Sequence, residues 1–204
     1  MSREAFAAQT NVSRETLERL DTYAARLVKW NRAINLVAKP TLDSLWTRHF
    51  LDSAQVLDHA PATAKTWIDI GSGAGFPGLV VAVLRPDIAV TLVESDQRKS
   101  VFLSETARAC GLTVTVLTER AENIEQKADI VSARALAPLA DLLALSQPLL
   151  TSGGTALFLK GENVENELTE ANRVWHIKHT KHDSLVDPRG SVLSITDFHR
   201  RTDL

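Results

Sequence analysis

Residues 69–78 read Asp-Ile-Gly-Ser-Gly-Ala-Gly-Phe-Pro-Gly. Three glycines at alternate positions, Gly71, Gly73 and Gly75, stand between two short apolar runs, TWIDI before them and LVVAVL after them. A backbone needs so many positions without a Cβ where it turns sharply or lets something approach closely. A turn from a strand into a helix is also where open α/β sheets take up nucleotide-like ligands, outside the carboxyl ends of their strands. A tight turn with no ligand is the plain alternative. The repeated glycines beside Asp69 argue against it.

The chain around this loop alternates. Residues 66–71 read as a buried strand and 79–85 as a helix. Residues 89–94 read as a strand and 97–111 as a helix closed by Gly111. Residues 114–118 and 128–134 read as strands, 137–150 as a helix, 153–161 as a strand and 161–173 as a helix. Two further strands, VWHIKHTKH and SVLSITDFH, suit an antiparallel pair at a sheet edge. Such alternation predicts an α/β fold: a mostly parallel, doubly wound, Rossmann-like sheet covered by helices on both faces. The first part of the chain is different. Leu17, Leu20, Ala24, Leu27 and Ile34 recur at helical spacing behind a candidate N-cap, Ser13. A second helix is expected over Asp43 to Asp58. The expected organisation is an N-terminal helical cap, residues 1–62, on a ligand-binding domain, residues 63–204.

The loop alone leaves two ligand classes open. Gly73, Gly75 and Gly78 formally satisfy the dinucleotide pattern G-x-G-x-x-G. The longer pattern D-x-G-x-G-x-G, from Asp69 to Gly75, is that of methyltransferases that use S-adenosylmethionine, and it favours that cofactor. Glu94 ends the next strand, 23 residues after Gly71, where a carboxylate can accept hydrogen bonds from ribose hydroxyls. Glu119 and Glu122 follow the third strand, and the Ala121-Glu122 edge is the candidate neighbour of an adenine.

The strand ends narrow the chemistry. Methylation at C5 of a pyrimidine needs a cysteine nucleophile, and the one cysteine, Cys110, falls within a helix and reads as core. The [ND]-P-P-[YFW] loop of exocyclic adenine methylation is absent. Arg134 ends the fourth strand in Ser-Ala-Arg-Ala and Lys160 ends the fifth. A cation there suits a guanine, whose O6 accepts hydrogen bonds and whose N7 lone pair needs no general base. As strand-end charges alone, Arg134 and Lys160 are equally well read as ordinary surface residues.

Several segments together resemble one family, the bacterial 16S rRNA guanine-N7 methyltransferases, also called glucose-inhibited division protein B. They are Lys29-Trp30-Asn31-Arg32-Ala33-Ile34-Asn35-Leu36, Arg48-His49-Phe50-Leu51-Asp52-Ser53, Asp69 to Gly78, Gln97 to Leu103, Ser132 to Ala135 and Phe158 to Gly161. The first two are not general methyltransferase features. The resemblance implies a class I methyltransferase fold and S-adenosylmethionine rather than a dinucleotide. It also implies methyl transfer to N7 of one guanine of 16S rRNA, guanine 527, near the decoding site. Cofactor contacts are expected at Asp69, Gly71, Gly73, Gly75, Phe76, Glu94, Ala121, Glu122 and Arg134, with Arg134 and Lys160 at the reacting centre.

The implied partner is 16S rRNA or the small ribosomal subunit. No stable protein partner and no membrane are expected, and a cytoplasmic location is. A formal net charge of -2 excludes indiscriminate attraction to nucleic acid through a large positive field. RNA contact would then fall to local cations: Arg26, Lys29, Arg32 and Arg48 on the cap, and Arg98 and Lys99 on the ligand rim. Each is also well read as a solvated face. Trp30 and Trp46 read as core rather than base-stacking residues. His49 and Asp52 read as a mutual structural hydrogen bond. His176, His179 and His182 read as scattered over two faces of a strand, not as a metal site. On residues alone, a methyltransferase of small molecules or proteins and a non-enzymatic RNA-binding module remain open.

Overall fold

A computed structural model describes residues 1–202, so the last two residues of the expected 63–204 domain lie outside the described residues. Seven strands form one sheet in the order β3-β2-β1-β4-β5-β7-β6. They are β1 (Thr66–Ile70), β2 (Ala89–Val93), β3 (Val114–Leu117), β4 (Ala128–Arg134), β5 (Leu150–Lys160), β6 (Trp175–Asp183) and β7 (Ser191–Arg200). The first five are parallel. The last two form an antiparallel hairpin whose second strand, β7, lies against β5. The helices are α1 (Arg3–Thr10), α2 (Arg14–Trp30), α3 (Asp52–Ala54), α4 (Gly78–Leu84), α5 (Gln97–Ala109), α6 (Leu139–Ser146) and α7 (Val164–Val174).

Alternation along each strand divides the core in two. Trp67, Ile130, Leu157 and Val192 face one layer, where they meet Leu20, Tyr23, Leu27, Leu79 and Phe102 of the cap, α4 and α5. Ile68, Val131, Phe158 and Leu193 face the other, with Leu139, Leu143, Leu168 and Trp175 beneath α6 and α7. The N-terminal helices thus bury their apolar stripe in the same core as one face of the sheet. Ser13 caps α2, its hydroxyl accepting from the Thr16 amide at 3.2 Å. Cys110 is buried, its thiol pushed up to about 11 by desolvation, which suits a core residue and not a nucleophile.

The expected single helix over Asp43 to Asp58 is not what forms. A 3-10 segment (Lys39–Ser44), a π-helical turn (Trp46–Leu51), α3 and a second 3-10 segment (Gln55–His59) follow one another. His49, Phe50 and Leu51 are all buried. The π turn widens the helix at these residues, and such turns recur at functional sites.

Strand order reverses between β1 and β4. The loop after β1 and the end of β4 therefore open onto one crevice, the position at which doubly wound sheets bind ligands.

Candidate functional site

Two adjoining cavities occupy that crevice. The first, about 760 Å³, lies over the glycine loop and runs past the ends of β2 and β3. The second, about 710 Å³, lies between the cap, the end of β5 and the 184–191 loop. They share Leu36 and the stretch Arg134 to Ala137.

The loop owes its shape to residues behind it. Gly71, Gly73 and Gly75 have φ of 65°, 55° and 94°, the left-handed region that side chains disfavour. Asp69, expected among the cofactor residues, does not line the cavity. It is fully buried, accepting from the Ser132 hydroxyl at 2.6 Å and from the Gly78 amide at 3.2 Å. Burial raises its carboxyl to about 6, against the opposing pull of those hydrogen bonds. Its place is structural: it ties β1 to β4 and to the start of α4. Gly75 also stays out of the lining, because its Cα side faces Leu79 and the Tyr23 hydroxyl. Gly71, Gly73 and Phe76 do line it.

Glu94 is 7% exposed and lines the first cavity. One carboxylate oxygen accepts from the Gly73 amide and the other from the Asp96 amide, each at 2.8 Å. The carboxylate is thereby fixed before any ligand arrives, and each oxygen keeps a second acceptor position. Glu119, Ala121 and Glu122 line the far end of the same cavity, and Val93, Ala144 and Leu145 supply apolar wall. Glycines without Cβ, a preset carboxylate and an apolar wall fit an adenosine-bearing ligand.

Arg134 stands where the cavities meet. Its NH1 donates to Asp52 at 3.1 Å and to the Arg48 carbonyl at 3.2 Å. Its NH2 lies 3.0 Å from His49 Nδ1, and the guanidinium sits 4.6 Å above the Phe76 ring. His49 and Tyr23 stack on Phe76 at 5.0 and 5.3 Å. Burial first, then the Arg134 and Arg48 charges, depress His49 to about 3, so its imidazole is neutral. Nδ1 then accepts from Arg134 while the Nε2 hydrogen goes to Thr41 Oγ1, 2.7 Å away. The expected mutual bond between His49 and Asp52 is absent. Both hold Arg134 instead, which spends three of its five donors on the protein.

Sequence reasoning also missed the task of Asn31. Buried at the end of α2, it accepts from the Leu36 and Val37 amides at 2.9 Å and donates to the Val37 carbonyl at 3.1 Å. That fold of the chain brings Leu36 to the rim of both cavities. Tyr23, whose hydroxyl donates to the Ala74 carbonyl at 2.5 Å, clamps the glycine loop to α2. Tyr23 meets a partner 51 positions away in sequence, and Asn31 bonds the backbone of the turn that follows its own helix, so neither role shows in a local pattern.

The remaining cations divide. Arg26 pairs with Glu105, Arg48 with Asp187 and Arg98 with Asp96. Lys29 and Arg32 are exposed at the end of α2 and just beyond it, and Lys99 lines the first cavity. Lys160 lines the second cavity together with Arg134, not the first. Trp30 and Trp46 pack at the edge of the core against Phe102 and against Phe6 and Phe50. Among the described residues no group of three or more His, Cys, Asp or Glu could hold a metal ion, and no helix is long and apolar enough to cross a membrane.

Comparison with known proteins agrees with this geometry. The family model for rRNA small subunit methyltransferase G matches residues 16–192. Ribosomal RNA small subunit methyltransferase G of Parvibaculum lavamentivorans is 50% identical over 202 residues, 96% of this chain and 89% of that protein. That of Rhodospirillum rubrum is 50% identical over 202 residues, 98% of this chain and all of that protein. Among solved structures, M. jannaschii TYW2 in complex with AdoMet superposes with a TM-score of 0.58 at 14% identity, covering 83% of this chain and 80% of that one. The ribosomal protein L11 methylase from Lactobacillus delbrueckii subsp. bulgaricus gives 0.56 at 19% identity, covering 73% and 76%. These two likenesses bear on the fold, which is the Rossmann-like class I methyltransferase fold.

Proposed function

Because the chain belongs to the rRNA small subunit methyltransferase G family, we propose that it transfers a methyl group from S-adenosylmethionine to N7 of a guanine in 16S rRNA. One observation carries the reading beyond family membership. Arg134, fixed by Asp52, His49 and the Phe76 ring, sits on the 134–137 stretch that lines both the cavity over the glycine loop and the second cavity beside it.

S-adenosylmethionine, when bound, supplies a methyl group on a positively charged sulfur. The residues of the first cavity would hold it: Glu94 for the ribose hydroxyls, Ala121 and Glu122 for the adenine edge, and the Gly71–Gly73 backbone for the amino-acid tail. The second cavity would take the guanine. Displacement needs the nucleophile in line with the leaving group and water kept out. The pinned guanidinium supplies that orientation with two donors still uncommitted to the protein. Guanine N7 attacks through its own lone pair, so no residue has to remove a proton first, and a neutral His49 is no obstacle.

The test is tritiated methyl transfer to small ribosomal subunits and to purified 16S rRNA, followed by nucleoside analysis and mapping of the modified position. The expected product is 7-methylguanine at one site. A different methylated base, or transfer to short unstructured oligonucleotides as efficient as to the folded RNA, would overturn the proposal.

A further inference from the structure

Three carboxylates line the second cavity: Asp52, Glu167 and Asp187. Asp52 uses one oxygen on Arg134 and the other on Gln55 Nε2. Asp187 uses one on Arg48 and the other on the Arg189 amide. Glu167 differs. A single oxygen, Oε2, takes both the Leu139 amide at 2.7 Å and Lys160 Nζ at 2.5 Å, and Oε1 has no partner among the described residues. Lys160 in turn gives one further proton to the Ala137 carbonyl at 3.1 Å, leaving one of its three donors over. Their side chains are 8% and 18% exposed, against 47% and 24% for the Arg48–Asp187 pair at the same cavity. A desolvated ion pair thus carries both a spare donor, on Lys160, and a spare acceptor, Glu167 Oε1, at the lining of one cavity.

We propose that the Lys160–Glu167 pair reads the O6 and N1–H edge of the target base, Lys160 donating to O6 and Glu167 accepting from N1–H. This rests on the second cavity being the guanine site. The logic is polarity. Guanine presents an acceptor, O6, next to a donor, N1–H. Adenine presents a donor, its 6-amino group, next to an acceptor, N1, and meets the pair like to like. Buried polar groups left unmatched are costly, and this is how sites reject a base of the wrong pattern. Uracil offers the same acceptor and donor through O4 and N3–H but has no N7 to methylate. Among the four standard RNA bases, the pair and the chemistry together therefore admit guanine alone. Lys160 also lies on β5 beside β4, and the main-chain anchor at Ala137 ties it to the stretch that carries Arg134. The edge reader and the residue at the cavity junction are thus fixed to one piece of backbone.

The experiment uses small subunits reconstituted with 16S rRNA carrying guanine, inosine, 2-aminopurine or adenine at the target position. All four keep N7. Inosine retains O6 and N1–H, whereas 2-aminopurine lacks both. The intact enzyme should methylate inosine nearly as well as guanine, and 2-aminopurine and adenine at least tenfold less efficiently. Glu167→Gln keeps an acceptor for the Leu139 amide but removes the charge. In it, kcat/KM for guanine should fall by about ten- to a hundredfold, while the low value for 2-aminopurine and the affinity for S-adenosylmethionine by calorimetry stay put. A merely structural role would lower both substrates together. An unchanged guanine-to-2-aminopurine ratio in Glu167→Gln, or equal use of the two bases by the intact enzyme, overturns the inference. If the intact enzyme makes no 7-methylguanine on the guanine substrate, the proposed function itself falls, and this reading with it.

Discussion

Arg134→Lys is the most informative single change at the residue scale. Lysine keeps the charge but cannot reach Asp52, His49 and the Arg48 carbonyl at once, nor lie flat over Phe76, as the planar fork does. Losing one charge-assisted contact where the two cavities meet costs roughly 1.5–3 kcal/mol, or about ten- to a hundredfold in kcat/KM. A well-folded Arg134→Lys enzyme is expected to lose at least that in single-turnover methyl transfer. Full activity would reduce Arg134 to a strand-end charge. His49 yields a second prediction, in stability. Its folded pKa, about 3, lies below its unfolded value of 6.5. The unfolded chain therefore binds a proton that the folded one refuses as pH falls from 6.5 towards 3, and stability is lost across that window. His49→Gln should show a shallower loss of stability between pH 6 and 4 in urea titrations. An unchanged slope would mean that the imidazole is not kept neutral. None of this was legible in sequence: His49 and Arg134 are 85 positions apart, and the spacing of three from His49 to Asp52 suggested a local bond that the π turn does not make.

At the scale of elements, the glycine loop was the most legible feature, because only a narrow set of backbones needs alternate residues without Cβ. Its three glycines are nevertheless unequal. A Cβ on Gly75 would come within 2.6 Å of both Leu79 Cδ1 and the Tyr23 hydroxyl, at φ 94°. A Cβ on Gly73 would meet nothing nearer than 3.8 Å, at φ 55°. Gly73→Ala should therefore cost only the left-handed conformation, about 1–2 kcal/mol. Gly75→Ala must also displace Leu79 or break the clamp from Tyr23 to Ala74, and should be the more destabilised by a further 1 kcal/mol or more, roughly one buried hydrogen bond. Urea midpoints of the two variants decide it, and equal stabilities would show that the clamp contributes nothing. The β strands were legible for a similar reason: a parallel strand buried on both faces reads as a short apolar run. The 43–58 segment was not. Its apolar residues satisfy a helical period, and nothing in that period marks where the chain tightens into 3-10 turns or widens into a π turn. The place of β7 between β5 and β6 was equally invisible, since a hairpin's order in a sheet is a tertiary choice.

For the whole molecule, the decisive quantity is charge that remains available. The sequence offers 23 lysines and arginines against 25 aspartates and glutamates, so phosphate contact depends on which cations the fold leaves uncommitted. Arg26, Arg48 and Arg98 have carboxylate partners within 3.3 Å. Lys29, Arg32 and Lys99 have no ion-pair partner among the described residues. Lys99 lines the first cavity, as does Leu36, which follows Arg32 by four residues. The test cannot be deletion of the cap. Phe6, Leu20, Tyr23 and Leu27 share one core with Leu79 and Phe102, so a chain lacking them exposes that core and loses the sheet with it. Single substitutions avoid this. Lys29→Ala, Arg32→Ala and Lys99→Ala should each weaken binding to small ribosomal subunits and lower the slope of log affinity against log salt by about one, the signature of a released counterion. Arg26→Ala should change that slope by much less, because its charge is already balanced by Glu105. If instead Arg26→Ala lowers the slope as much as the other three, its ion pair opens on binding, and the cations of the cap act as one field rather than as separate contacts.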